Sequence, residues 1–357
     1  MSAAKRSKTQ RSVAALPAAC AAVAALLLTG CGGAGSGSGN GSRAAAQATA
    51  GAHTGSSSSS ASTHGGTTAA GPPPSLHVGA STKLPEAVQL PGVTAGLGGV
   101  LALAGLDAAD SSLASVTLID GGSASAVAQL PEALHDAAAA SISGRAYLFG
   151  GGNAGTASSS ILEVTRSGAH LVAHLPAPSS DVAAAAIGGT AYVVGGYTET
   201  TPLRTIVAFT PGGATHVAGM LPRPLRYAAV AAVGGRLLIA GGTSGETAQR
   251  AILSFDPASG RVQQIGELPH ALTHAAGASL GGYMYLLGGR GEGLTDQTSA
   301  ILAVDPASGA ISPAGRLPQA LSDLGAASLP GRIVAVGGRD RAGTVHDRAL
   351  TLLPAAR

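Results

Sequence analysis

Cysteine is nearly absent from this chain of 357 residues, which contains only Cys20 and Cys31. Both lie close to the N-terminus, ahead of any segment that could form a core. The body of the chain therefore contains no disulfide framework, thiol nucleophile or cysteine metal site. Tryptophan is absent and aromatic residues make up 3% of the chain, so strong stacking of sugar rings on aromatic side chains is not expected either.

Charged residues are also scarce, at 11% of the chain, with 21 Lys and Arg against 18 Asp and Glu. Four of the basic residues, Lys5, Arg6, Lys8 and Arg11, precede the first apolar run, and the remainder has 17 basic residues against 18 acidic ones. A body near neutrality, without a Lys/Arg cluster, has no general affinity for phosphate backbones. The composition therefore excludes nucleic acid as an expected partner.

The basic residues are followed by an apolar stretch, Val13–Leu28, and by the sequence LLLTGC at residues 26–31. This order predicts a secretory signal peptide over residues 1–30. Leu28-Thr29-Gly30-Cys31 resembles a bacterial lipobox, in which small residues admit the signal peptidase and the cysteine receives a lipid. The resemblance implies that Cys31 is acylated and that the protein is extracytoplasmic, anchored by lipid to a bacterial membrane. An uncleaved N-terminal anchor is the alternative.

Residues 31–74 are predicted to be a tether. After Cys31 the segment consists mostly of Gly, Ser, Ala and Thr, which cannot bury enough apolar surface to offset the entropy lost on folding. A flexible chain of this length reaches roughly 35 to 40 Å. We expect the folded domain to occupy residues 75–357.

The folded domain is predicted to be a repeat array. A Leu-Pro pair recurs six times at spacings of 45 to 49 residues, with its proline at Pro85, Pro131, Pro176, Pro222, Pro269 and Pro318. Nineteen residues after each of the last five prolines a double glycine begins, at Gly150, Gly195, Gly241, Gly288 and Gly337, and the first repeat has Ala104-Gly105 there. A constant distance inside units of variable length is typical of one structural unit whose insertions lie in loops.

Each unit is predicted to contain four antiparallel strands. The segment HAAGASL at residues 274–280 is followed by the pair Gly281-Gly282 and the apolar run YMYLL, as in a two-residue hairpin. Farther on, Asp-Pro-Ala-Ser-Gly at residues 256–260 and 305–309 predicts a turn between two more strands. Four-stranded units repeated radially form a β-propeller.

The chain ends predict how the propeller closes. After Gly338 the chain has only one further strand, RALTLLP at residues 348–354, so the last unit lacks its outer strand. Residues 75–85, SLHVGASTKLP, match the fourth strand of the other units and would supply it. The predicted fold is therefore all-β, a six-bladed propeller closed by strands from both termini.

These repeats resemble the kelch family, whose unit has a Leu-Pro pair, a small-residue strand, a strand ending in Gly-Gly, an aromatic-Asp turn and a tryptophan. The double glycines match, as do Phe255-Asp256 and the tyrosines three residues before a double glycine, Tyr147, Tyr192 and Tyr285. The resemblance covers residues 75–357. The tryptophan position departs from it, with Val217, Val262 and Ile311 in its place, and we expect these β-branched side chains to fill the space between blades.

Candidate ligand-binding residues lie in the loops that this resemblance places on one face. Five residues after each Leu-Pro proline, before the innermost strand, stand Leu90, Asp136, Asp181, Tyr227, His274 and Asp323. His135 and Arg226 flank this ring, and the loops after the double glycines add Tyr197, Glu199, Arg204, Arg290, Glu292, Arg339, Asp340 and Arg341. We predict a polar ligand site formed by Asp136, Asp181, Tyr227, His274, Asp323, Arg226, Tyr197, Arg290 and Arg339.

Two other interpretations of the ring stay open. An aspartate before a strand commonly accepts hydrogen bonds from a turn, and a polar inner ring suits a water-filled tunnel. The second interpretation is that the carboxylates bind a hard cation such as calcium. No metal or cofactor is predicted.

We expect a monomeric, non-catalytic binding or scaffold module that presents this face to a protein, a glycan or a cell-wall component. The alternative is a sugar-modifying enzyme, because kelch-like proteins include a copper-dependent galactose oxidase and a bacterial sialic acid epimerase. The oxidase is excluded, since its cofactor needs a cysteine crosslinked to tyrosine. An epimerase would take its acid and base from Asp136, Asp181, Asp323 or His274, and no catalytic motif selects a pair among them.

Overall fold

Short strands joined by tight turns make up the regular structure of residues 71–355, the range that the computed structural model describes. No helix occurs in this range, and none of its residues belongs to a helix long and apolar enough to cross a membrane. The predicted all-β class is confirmed. The predicted signal peptide, Cys31 and the tether up to residue 70 lie outside the described residues.

The strands form six groups of four, with two small additional hairpins. The chain begins with β1 (Leu76–Lys83), followed by β2 (Gly92–Gly96), β3 (Gly99–Leu103), β4 (Leu113–Asp120) and β5 (Ser123–Leu134). Next come β6 (Ala138–Ile142), β7 (Arg145–Phe149), β8 (Gly152–Asn153), β9 (Thr156–Ala157), β10 (Ser160–Thr165) and β11 (Gly168–His174). Then come β12 (Ala183–Ile187), β13 (Thr190–Val194), β14 (Thr205–Phe209) and β15 (His216–Met220).

The second half of the chain repeats this order. The fourth group contains β16 (Ala229–Val233), β17 (Arg236–Ala240), β18 (Thr243–Ser244), β19 (Thr247–Ala248), β20 (Ala251–Asp256) and β21 (Arg261–Glu267). The fifth contains β22 (Ala276–Leu280), β23 (Tyr283–Leu287), β24 (Ala300–Val304) and β25 (Ile311–Arg316). The last contains β26 (Gly325–Leu329), β27 (Arg332–Val336) and β28 (Arg348–Pro354).

Four groups form separate antiparallel sheets, in the orders β2-β3-β4-β5, β6-β7-β10-β11, β12-β13-β14-β15 and β16-β17-β20-β21. The other two groups, β22-β23-β24-β25 and β26-β27-β28-β1, are joined into one eight-stranded sheet by a single parallel pair, Leu76 with Gly315. In the last group β1 pairs antiparallel with β28, from Leu76 opposite Pro354 to Lys83 opposite Arg348. This sheet therefore combines strands from both ends of the described chain.

Glycine-containing turns join the first and second strands of each group. Gly281 and Gly282 have φ of 59° and 84°, so both central residues of this turn have the positive φ that a type I′ hairpin requires. Ser143 and Gly144 repeat it with φ of 52° and 81°. The hairpin predicted from Gly281-Gly282 is thus present, and Ser143-Gly144 forms an equivalent one.

The first strand of each group, here called the inner strand, lies against the inner strand of the next group. These are β2, β6, β12, β16, β22 and β26, and β26 also lies against β2. Three residues of each inner strand line a shared cavity of about 170 Å³. A Cβ on Gly277 would lie 2.7 Å from the backbone nitrogen of Val230. The abundance of glycine and alanine here follows from this close approach of backbones.

The double glycine joins each group to the next. The Gly151 N–H donates to the carbonyl of Ser179, 2.9 Å away, and the same carbonyl occupies the space that a Cβ on Gly150 would need. The equivalent glycines contact the carbonyls of Leu225, Leu272, Leu321 and Val88 in the same way. The constant spacing within the repeat therefore reflects a hydrogen bond between neighbouring units.

Apolar side chains are buried between neighbouring sheets. Tyr192 of the third group packs edge-on against Phe255 of the fourth, with ring centroids 5.4 Å apart. The leucines of all six Leu-Pro pairs are buried: Leu84, Leu130, Leu175, Leu221, Leu268 and Leu317. Val262 and Ile311 are partly buried and pack against clusters of buried apolar side chains. The expectation for Val217 is wrong, because this side chain on the outer strand β15 is 49% exposed.

The segment before β1 is held against the fifth group. The Tyr283 hydroxyl donates to the carbonyl of Gly71, and the Tyr285 hydroxyl donates to the carbonyl of Pro74 at 2.8 Å. Tyr283 directly follows the turn between β22 and β23. The segment before β1 therefore contacts the sheet near the last residue of β22, whereas His274 precedes the first residue of that strand.

Candidate functional site

Six residues that precede the inner strands share one unusual backbone conformation. Leu90, Asp136, Asp181, Tyr227, His274 and Asp323 have φ between 53° and 61°, a region that side chains other than glycine rarely adopt. Successive members are linked through the backbone, since the N–H of His274 donates to Tyr227 at 3.2 Å and that of Asp323 donates to His274 at 3.0 Å. Together the six line a cavity of about 100 Å³ at one end of the inner strands, here called the mouth.

The flanking residues reach the mouth through short backbone bridges. The residue before each ring member pairs with the residue that follows the double glycine of the same unit: Ser180 with Tyr197, Arg226 with Thr243, Thr273 with Arg290 and Ser322 with Arg339. This pairing places Tyr197, Arg290 and Arg339 beside ring residues. The fixed spacing of the repeat thus positions side chains from two separate loops.

An ion pair occupies one side of the mouth. Arg226 donates from both Nε and Nη2 to Oδ2 of Asp181, each at 2.5 Å, and the Asp181 side chain is only 4% exposed. The guanidinium carbon lies 4.5 Å from the ring centre of Tyr197, a cation–π contact. Nη2 of Arg226 also lies 3.4 Å from the Tyr227 hydroxyl. The predicted residues Asp181, Arg226, Tyr197 and Tyr227 therefore form one connected cluster.

Asp136 is the least satisfied polar side chain of the mouth. It is 8% exposed, and its Oδ1 has no hydrogen-bond partner among residues 71–355. Burial raises the pKa of Asp136 well above its usual range, and the negative charges of Asp181 and Asp323 and a hydrogen bond with Asp181 raise it further, against the effect of Arg226. Asp136 lines the mouth, so its Oδ1 is a buried, unpaired acceptor in a residue of this wall.

His274 lies on the other side of the mouth and is uncharged at neutral pH. Its ring stacks on that of Tyr227, with centroids 3.8 Å apart. Burial lowers the pKa of His274 to about 3, and the positive charges of Arg290 and Arg226 contribute to this shift. Nη2 of Arg290 lies 3.3 Å from Nε2 of His274. Because a guanidinium only donates, Nε2 accepts and the ring proton is on Nδ1, 3.0 Å from Oγ1 of Thr273.

Asp323 completes this side of the mouth. Its Oδ1 lies 3.7 Å from Nε2 of His274, and the hydroxyl of Ser322 donates to its Oδ2 at 2.5 Å. Burial raises the pKa of Asp323, against the Ser322 hydrogen bond and the charges of Arg290 and Arg339. The mouth therefore holds two carboxyls with raised pKa values, Asp136 and Asp323.

Several predicted loop residues have other contacts. Oε1 of Glu199 accepts a hydrogen bond from the backbone of Ala157 at 2.6 Å, and Asp340 accepts from the backbone of its own turn. Arg204 and Glu292 are exposed. The side chain of His135 lies 2.8 Å from the hydroxyl of Ser112 and flanks the mouth as predicted.

Sequence patterns missed several residues of this face. Asp110 lies in a loop of the first unit, where it accepts from Gln89 at 2.8 Å and lies 3.7 Å from Arg339. The first unit has Ala104-Gly105 instead of a double glycine, so its loop did not stand out. Gln89 stands directly before Leu90, at the repeat position of His135 and Arg226, and Gln297 lies in the loop before β24. Both are buried polar residues, and their burial is the signal that identifies them.

The carboxylates of this face do not converge on one point. Among residues 71–355, no group of three or more His, Cys, Asp or Glu side chains is arranged to hold a metal ion. Comparison with known proteins adds no assignment, since no protein-family model matches this sequence and no curated protein matches it.

Proposed function

We propose that residues 75–357 form a six-bladed, kelch-like β-propeller, and that the protein is a monomeric, non-catalytic binding module anchored outside a bacterial cell membrane by lipid on Cys31. The repeated four-stranded groups, the contacts among the six inner strands and the pairing of β1 with β28 support the architecture. The N-terminal pattern of basic, apolar and LTGC residues supports the anchor.

We place ligand binding at the mouth, and the unpaired Oδ1 of Asp136 carries this assignment. A buried acceptor without a partner costs on the order of 1 to 3 kcal/mol. Rotation of the Asp136 carboxyl group would turn this oxygen toward the mouth, where a donor group on a ligand would remove that cost. Tyr197 and Tyr227 offer limited aromatic area, so a protein partner fits the loop face as well as a glycan or a cell-wall component does.

The first test is binding of full-length protein in lipid nanodiscs to purified peptidoglycan and to a glycan and peptide array. Asp136→Leu removes the acceptor while keeping a similar volume, and we expect affinity for the ligand to fall about tenfold or more. Asp136→Asn keeps an acceptor oxygen and a donor toward Asp181, so binding should be retained. Equal binding by wild type and Asp136→Leu would refute the mouth as the ligand site.

A sugar-modifying enzyme is the second candidate, favoured by one observation. Asp136, whose pKa is raised above its usual range by burial and by nearby carboxyl groups, lines the mouth together with Asp181, and paired carboxyl groups supply the acid and the base in several classes of enzyme. The same Asp136→Asn variant separates the two functions, because an amide cannot transfer the proton. Proton-exchange NMR on acidic sugars would show turnover in the wild type and none in Asp136→Asn if the protein is an enzyme.

A further inference from the structure

A second, larger cavity of about 410 Å³ lies beside the mouth and shares Leu90, His274 and Asp323 with it. Its other walls come from the loops of the fifth, sixth and first groups. Three arginines line it, Arg290, Arg339 and Arg341. Against them stand the carboxyl groups of Asp110 and Asp323, so cationic side chains outnumber acidic ones in this wall.

The three guanidiniums have few anionic partners. Arg341 donates from Nε and Nη2 to the backbone carbonyl of Gln297, at 3.0 and 2.6 Å, which is a neutral acceptor. Arg290 contacts the neutral ring of His274. Neither forms an ion pair with any residue between 71 and 355. Arg339 lies 3.7 Å from Asp110, whose side chain is 65% exposed.

Such a cavity is suited to an oxyanion. Guanidinium groups present paired N–H donors that match the two oxygens of a carboxylate or a phosphate. Like charges gathered in one cavity repel each other, and a bound anion would relieve that repulsion. The neutral partners of Arg290 and Arg341 leave their positive charges available for this contact.

The same cavity has an apolar edge. Leu294 is 77% exposed, the highest value among the exposed large apolar side chains, and it lines the cavity together with Leu90 and Leu106. These three leucines give one edge of the charged cavity an apolar surface. A ligand that covers Leu294 must carry hydrocarbon as well as charge.

We propose that this cavity binds a small organic oxyanion, a carboxylate or phosphate monoester, with its charged group at Arg290 and Arg339 and its hydrocarbon portion against Leu294. The inference rests on the proposed function, because it names the chemical class of ligand recognised by the same loop face. It adds Arg341, Asp110 and Leu294 to the residues that contribute to recognition.

The test uses full-length protein in lipid nanodiscs, with empty nanodiscs as the blank, and saturation-transfer NMR titrations of butanoate, monobutyl phosphate and butan-1-ol. We expect at least one of the two anions to bind and the alcohol not to bind, and the two anionic arms distinguish carboxylate from phosphate. Arg290→Gln should weaken anion binding about tenfold or more. Arg332→Gln is the matched control. Arg332 is exposed at the start of β27, and Arg339 of the cavity follows the other end of this strand.

Chain length tests the apolar contact. Hexanoate should bind about two- to fourfold more tightly than butanoate for each added methylene that becomes buried, and Leu294→Ser should remove this dependence. The proposal would be overturned if butan-1-ol bound as tightly as the anions, or if Arg290→Gln bound the anions as tightly as the wild type does.

The two proposals fail in different ways. A cell-wall, glycan or peptide ligand that is lost in Asp136→Leu but unaffected by Arg290→Gln would refute the oxyanion site and leave the mouth as the binding site. If anion binding depends on Arg290 and Asp136→Leu affects no ligand, the mouth is refuted as the binding site and the oxyanion site stands.

Discussion

Residues at the mouth combine backbone strain with an unsatisfied polar atom. Six side-chain-bearing residues stand in the left-handed region, a conformation that costs about 1 kcal/mol or more for each residue other than glycine. Among them, Asp136 keeps a buried oxygen without a partner. Strain and unsatisfied polar groups of this kind are concentrated at functional sites, which is why we assign binding to this end of the inner strands.

Asp136→Asn should stabilise the protein at neutral pH. The pKa of Asp136 is raised above its ordinary 3.8, so the folded state holds the proton more tightly than the unfolded chain does. The contribution of this carboxyl to stability is therefore full below pH 3.8 and is lost as pH rises toward the folded pKa. An amide does not titrate, so thermal unfolding from pH 4 to 8 should show a Tm gain for the variant that grows with pH.

Asp120→Asn is the control for this experiment, because Asp120 is exposed at the end of β4. We expect its Tm to follow that of the wild type at every pH. A Tm of Asp136→Asn below that of the wild type at pH 7 would mean that Asp136 is ionised and stabilising in the folded protein, against the protonation state assigned to it.

At the scale of the elements, the double glycine is the joint between groups. Gly241→Ala should destabilise the protein by about 3 kcal/mol or more, because its Cβ would collide with the carbonyl of Leu272 and its φ is 64°. Gly245 has a similar φ of 61° but open space around its Cβ position. Gly245→Ala should therefore cost only about 1 kcal/mol, and chemical denaturation compares the two.

An equal loss of stability in both glycine variants would show that backbone strain alone, and not the contact between groups, explains the double glycine. The position equivalent to the first glycine holds Ala104 in the first group, with φ of 59°. One methyl group is thus accommodated at one such joint, where Gly105 still donates to the carbonyl of Leu134 at 2.9 Å.

The elements were more predictable than the site. Hairpin turns and strands follow from glycine pairs and apolar runs, which are local signals, and the ring positions follow from their constant distance to Leu-Pro. The left-handed φ of Tyr227 and His274 was not predictable, because nothing in these residue types requires it. Asp110 was missed because its loop departs from the repeat. Val217 was assigned to the wrong repeat position: it pairs with Val207 as Gln264 pairs with Leu253, so it corresponds to exposed Gln264 and not to Val262.

At the scale of the whole molecule, the pairing of β1 with β28 joins the two ends of the described chain. Deleting residues 76–83 from the full chain should lower the free energy of unfolding by more than about 3 kcal/mol, since it removes this ladder and buried Leu76. Deleting residues 40–47, which have the same length within the predicted tether, should change it by less than about 0.5 kcal/mol. Similar denaturation curves for the two deletions would contradict the structural role of β1.

The contacts of Gly71 with Tyr283 and of Pro74 with Tyr285 determine where the segment before β1 meets the sheets. They hold the incoming chain at the turn between β22 and β23, whereas His274 and the mouth lie at the other end of the same sheet. The chain before β1 therefore meets the sheets at the end away from the mouth. None of residues 71–74 lines the mouth or the arginine-lined cavity, so a ligand can enter either one without displacing this segment.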